Sequence, residues 1–205
     1  KLKALFKELE ITSEESKGIA KGTTLLTSSK RNQIVPWIAE EDNEVEEIIL
    51  TDCFLTHDWG TVEHLRSNHA RVTKVNQYLK QRGLVTWFDE DRMEGNVRRK
   101  MTEGIDNTLC MVVFITDRYR NKVNGTDDRD NCRYEFTYGV EQQGPQRMIP
   151  VVMEERMLNA REWRQELGAA LGSKAFVNMV SDETAEFEAA CEEIYQRVKA
   201  TIGRS

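Results

Sequence analysis

The chain has 205 residues, 39% of them hydrophobic, enough for one sizeable core and too few for two full domains to be the default. A formal charge of −6 weighs against a nucleic-acid backbone as the main partner, because that binding mode needs a basic face. No apolar run reaches the roughly 18 residues that span a bilayer.

Residues 1–46 are polar and charge-rich, with short apolar clusters such as Leu5-Phe6 and Ile34-Val35-Pro36-Trp37. One or two short helices are expected there, and Pro36 interrupts any longer one. We read this stretch as a lead-in or connector, closed by the acidic residues 40–44, and place a single domain over 47–205. The chain starts at Lys1 with neither a signal-peptide pattern nor an initiator methionine, which reads as a piece of a longer protein.

A regular rhythm follows. Apolar strand candidates occur at 48–56, 85–88, 109–116, 148–153 and 174–179, with amphipathic stretches between them. Val72, Val75 and Leu79 share a helix face, as do Val97, Met101 and Ile105, then Trp163, Leu167 and Leu171. A last helix carries Phe187, Cys191, Ile194, Tyr195 and Val198. This alternation predicts βαβ units, hence an α/β fold whose sheet is covered on both faces. The 109–116 run, LCMVVFIT, is nearly continuous, as a strand buried on both sides requires. The 85–88 strand is short and runs into DEDRMEG, which suits a peripheral position. Ligands of open parallel sheets bind outside the carboxyl ends of the strands, where the strand order reverses. That rule points to residues 56–59, 89–95 and 116–130.

The first strand ends in LTHDWG, residues 55–60. An indole there can stack on a flat ring, and His57 or Thr56 can bond a phosphate or ribose. Equally, Trp59 can pack over the sheet end while His57 makes a local turn bond. The carboxylates Asp89, Glu90, Asp91 and Glu94 surround Arg92 and admit a hard cation. Their spacing does not follow the calcium-loop pattern, and a solvated acidic loop that starts the next helix is the simpler reading; no metal is expected. Residues 117–136 form a long charged segment that stays polar until CRYEF begins a helix. Glu135 then either faces the cleft between the first and third strands or lies on the surface.

Other chemistries are absent from the pattern. There is no GxGxxG or Walker A loop, no GxSxG elbow, and no aromatic–basic interleaving for single-stranded nucleic acid. The four cysteines, Cys53, Cys110, Cys132 and Cys191, form no CxxC pair. They read as buried thiols of a reducing compartment, and a cytoplasmic location is expected.

Four segments in order resemble the TIR (Toll/interleukin-1 receptor) domain family over roughly residues 50–200. DCFLTHDWG (52–60) is similar to its opening strand and first loop, and GLVTWFDEDRMEGN (83–96) to its second strand and BB loop. LCMVVFITDRY (109–119) is similar to its third strand and MIPVVM (148–153) to its fourth. The resemblance implies a three-layer flavodoxin-like fold with a five-stranded parallel sheet in the order 2-1-3-4-5. It also implies self-association with other TIR domains in immune or stress signalling and, in enzymatic members, cleavage of NAD⁺ as substrate without a bound cofactor.

In those members the glutamate of a tryptophan-cysteine-x-x-glutamate motif is catalytic, and NCRYE (131–135) transfers that role to Glu135, with Cys132 retained and Asn131 in place of the tryptophan. The resemblance places Thr56, His57, Trp59, Asp89, Arg92, Ile115, Thr116, Asn131 and Cys132 around the substrate. The rival reading is a non-catalytic TIR scaffold that assembles other TIR domains. A phosphoacceptor receiver domain shares the sheet order but wants an aspartate ending the third strand, where this chain has Thr116.

Overall fold

The computed structural model describes residues 50–62, 65–88 and 97–204. The elements are β1 (Cys53–Thr56), β2 (Thr61–Val62), β3 (Arg66–Ser67), α1 (Asn68–Gln81), β4 (Thr86–Trp87), α2 (Val97–Asp106), β5 (Met111–Ile115), α3 (Asp117–Val123), α4 (Asn131–Gln143), β6 (Met148–Val152), α5 (Gln165–Leu171), β7 (Val177–Asn178) and α6 (Thr184–Thr201). Five strands form one parallel sheet in the order β4-β1-β5-β6-β7. Numbered within that sheet alone, the order is 2-1-3-4-5, as the resemblance implied. The remaining pair, β2 and β3, is a small antiparallel ribbon leading into α1.

Alternate residues of a strand point to opposite faces, and each face of this sheet has its own core. Cys53, Leu55, Val112, Phe114 and Val151 pack with Val72, Val75 and Leu79 of α1 and with Ile194 and Val198 of α6. Phe54, Met111, Val113, Ile115 and Val152 pack on the other face with Met101 and Ile105 of α2, Tyr119 of α3, Phe136 of α4 and Leu167 of α5. Every residue of β5 is fully buried, which accounts for its unbroken apolar sequence. At the edge, Trp87 of β4 stacks on Phe54 with ring centroids 4.1 Å apart.

Several boundaries differ from the sequence reading. Among the described residues the first strand runs over Cys53–Thr56, with Thr51 in an isolated parallel bridge to Thr108. Between them the Asp52 side chain turns to accept the Val85 N–H at 2.8 Å and meets Arg204 at 2.9 Å. Residues 48 and 49 of the expected strand lie outside the described residues. The last strand narrows to Val177–Asn178, since among the described residues it is an edge paired only with β6. Trp163 does not lie on the helix of Leu167 and Leu171. Arg164 and Gln165 adopt φ of 47° and 41°, so the helix starts at Gln165 and the indole, donating to the Met157 carbonyl at 2.8 Å, closes the preceding turn. The charged 117–136 segment is not a continuous loop, for it contains α3. The lead-in expected over residues 1–46 lies outside the described residues.

Candidate active site

In the order β4-β1-β5, the connection from β1 runs to one side and the continuation of the sheet to the other, so strand order reverses between β1 and β5. The polar residues converge at the carboxyl ends of these two strands. Thr56 is the last residue of β1 and shares the face of Phe54, toward α4. Its hydroxyl donates to Glu135 Oε2 at 2.6 Å. Glu135 lies one turn into α4 and is 4% exposed, so of the two readings of this residue, cleft or surface, it is not a surface glutamate but a buried carboxylate at the sheet edge.

Caps set the two helices that frame it. Thr116, just past β5, caps α3 by accepting the Tyr119 N–H at 2.9 Å, and the Tyr119 hydroxyl reaches Thr56 Oγ1 at 3.1 Å. Asp130 caps α4 by accepting from the N–H groups of Cys132 and Arg133 at 2.8 and 3.2 Å. An N-cap side chain satisfies helix donors that have no intrahelical partner, so the first turn of each helix is fixed locally. Asn131 opens α4 exposed to solvent, whereas Cys132 is buried and its thiol donates to the His57 carbonyl at 3.4 Å. Burial and the neighbouring Glu135 push the Cys132 thiol up, so it stays protonated and is not an activated nucleophile. Ile115 sits fully in the core beside Tyr119.

His57 points the other way. Its Nε2 is 2.7 Å from Nδ1 of His69 on α1, and its ring stacks with His69 and Phe88. Burial, then the proximity of His69, pulls His57 from 6.5 to about 3, so it is neutral at physiological pH and brings no cation to a phosphate. Trp59 covers His69 at 3.9 Å with an interplanar angle of 19° and is 50% exposed. The structure therefore joins Thr56, Cys132 and Glu135, and separates the His57 and Trp59 rings onto the α1 side. Asp89 and Arg92 fall outside the described residues.

Three participants were not singled out in the sequence. Tyr119 closes the hydrogen-bond line behind Thr56, and the cap signal Thr116-Asp117 was the one local hint of it. Lys122 lies 2.7 Å from the buried Asp58 and 3.6 Å from Asp130, bracing the loop after β1 against α3. His69 is the partner of His57. Among the described residues, no group of three or more His, Cys, Asp or Glu is placed to hold a metal ion. A separate groove of about 790 Å³ runs along α4 and α5, lined in part by Tyr134, Val140 and Ala170.

A doubly wound α/β domain with a carboxylate at its topological switch point is the class that these observations define. Residues 61–195 match the family model described as TIR domain, and the chain belongs to the TIR domain family, a family of signalling modules whose members generally self-associate. Among solved structures it is similar to a metazoan TIR-STING receptor from C. gigas in complex with 2′,3′-cGAMP, with a TM-score of 0.53 and 11% identity over 75% of this chain and 41% of that one. At that identity the likeness is one of fold, and this chain spans well under half of that receptor chain. No curated protein matches the chain.

Proposed function

We propose that this TIR domain cleaves the bond between nicotinamide and C1′ of the adjoining ribose in NAD⁺, that Glu135 is its catalytic carboxylate, and that self-association within an immune or stress signalling protein activates it. The observation that carries this reading is the placement of Glu135, 2.6 Å from Thr56 at the carboxyl end of β1, where open parallel sheets bind their ligands. The glycosidic electron pair leaves with the nicotinamide nitrogen, so the departing ring is neutral and needs no acid. The ribose left behind carries oxocarbenium-like positive charge, which a fixed carboxylate stabilises far better in a dry site than in water. Addition of water at C1′ and loss of its proton then give ADP-ribose; attack by an adenine nitrogen gives a cyclic product. The four free, buried cysteines suit a reducing cytoplasm.

Self-association enters because Glu135 is only 4% exposed, so substrate reaches it after neighbouring groups move, and contact with a second domain can supply that energy. The same burial favours the second reading, a scaffold in which Glu135 is structural. Nicotinamide release from NAD⁺ separates the two, measured on the domain at high concentration and on a tethered oligomer, beside Glu135→Ala. Release that grows with clustering and vanishes in the variant supports the enzyme. Silence when clustered, or release that survives the substitution, sinks this mechanism, and the silent result leaves the scaffold.

A further inference from the structure

We infer that Tyr119 is a positioning residue for Glu135, acting through Thr56: the tyrosine hydroxyl donates to Thr56 and so commits the single Thr56 proton to the carboxylate. The inference rests on the reading of Glu135 as the reacting group. Thr56 and Tyr119 are fully buried and Glu135 nearly so, which leaves little water to substitute for any member of the line. A threonine hydroxyl has one proton. At 2.6 Å from Glu135 Oε2, in the range of an O–H···O⁻ bond, that proton points at the carboxylate. The 3.1 Å contact between Thr56 Oγ1 and the Tyr119 hydroxyl must then run in the opposite sense, with tyrosine as donor.

Tyr119 is well suited to be a permanent donor. Burial, reinforced by Cys132, holds its phenol well above the ordinary tyrosine range, so the proton stays on oxygen. Its ring enters the sheet edge from the first turn of α3, where Thr116 fixes the Tyr119 backbone at 2.9 Å. The result is a one-way line from Tyr119 to Thr56 to Glu135, in which each bond polarises the next. It holds one carboxylate oxygen as an acceptor in a fixed direction. That suits a group asked to meet positive charge on the ribose in a reaction whose leaving group needs no proton. The end of β5 and the end of β1 are thereby coupled to the catalytic helix by two hydroxyls, neither of which touches the reacting atoms in this role.

Steady-state kinetics of nicotinamide release by the clustered 205-residue chain test the inference, comparing wild type, Tyr119→Phe, Thr56→Ser and Thr56→Val. Tyr119→Phe removes one oxygen and keeps the ring, and is expected to lower kcat roughly 10- to 100-fold, the usual cost of losing an outer partner of a functional group, with KM little changed. Thr56→Ser is expected to retain more kcat than Thr56→Val by a similar factor, because serine keeps the hydroxyl. Tyr119→Phe with wild-type kcat, or with raised KM alone, overturns the inference and leaves the carboxylate reading standing. Should Tyr119→Phe fail to fold, equal kcat in the two Thr56 variants overturns it. A wild-type chain that releases no nicotinamide overturns both.

Discussion

Thr56 and His57 are consecutive in the chain and serve opposite faces of the sheet: Thr56 bonds Glu135 of α4 at 2.6 Å, and His57 bonds His69 of α1 at 2.7 Å. The period of two along a strand explains the division, since Phe54 and Thr56 fall on one side and Leu55 and His57 on the other. One end of one strand thus supplies a hydroxyl to the candidate carboxylate and a neutral imidazole to an aromatic stack.

The imidazole predicts an acid sensitivity. His57 is pulled down to about 3 by burial and then by His69, while in the unfolded chain it titrates near its ordinary 6.5. Between those values the unfolded state binds the extra proton, so stability is fully present above about pH 6.5 and is lost as pH falls toward 3, by about tenfold in the folding equilibrium constant per pH unit. His57→Phe keeps a flat ring beside Phe88 and deletes the titration. Chemical denaturation over the mildly acidic range should show a shallower loss in the variant than in wild type; identical slopes would show that His57 is not what the fold keeps neutral.

A second prediction concerns the loop that follows β1. Asp58 is buried, accepts the Gly60 N–H at 2.7 Å, and lies 2.7 Å from Lys122 and 3.2 Å from Arg118. Burial pulls the Lys122 ammonium down, but Asp58, Cys132 and Asp130 more than offset it, leaving it raised. Lys122→Met leaves Asp58 with the solvent-exposed Arg118 as its cation and should cost about 2 kcal/mol. That is below the 3–5 kcal/mol of a fully buried broken pair, because Lys122 is partly solvated. Urea titration measures it, and a change within about 0.5 kcal/mol, the ordinary surface range, would refute the bracing role.

Close packing of α2 on the edge strand yields the third. A Cβ on Gly104 would lie 2.5 Å from Nε1 of Trp87, and that indole is pinned against Phe54. Alanine favours a helix interior over glycine by about 1 kcal/mol, yet a rigid ring cannot swing aside as a long chain can. Overpacking should win, and Gly104→Ala should lower stability by about 1–3 kcal/mol in thermal or urea unfolding. A more stable variant would mean that α2 has room to move off the sheet.

How much could be read in advance depended on how local the cause was. The 109–116 run announced a central strand because burial on both faces excludes polar residues there, whatever the surrounding fold. The helix faces of Val72, Val75 and Leu79 and of Cys191, Ile194 and Val198 were equally legible, since each buries one stripe. By contrast α3 was missed, because DRYRNKV buries just Tyr119 and Val123 and shows no apolar stripe to a periodicity reading. Trp163 kept the helical spacing of Leu167 and Leu171 and still left the helix, because spacing records burial and not backbone angle.

By itself, then, the sequence determined a parallel α/β sheet covered on both faces, its central strand, and, through the order of four segments, the TIR family. Those features arise from water being excluded by neighbouring apolar residues, and they are written along the chain at short range. The tertiary structure decided which side chains meet. Glu135 became a buried acceptor because α4 crosses the end of β1, Tyr119 joined it because α3 turns back from β5, and His57 left it because a strand sends neighbours to opposite faces. Such contacts join residues as far as 79 positions apart, and their distances and directions exist only once the helices have packed.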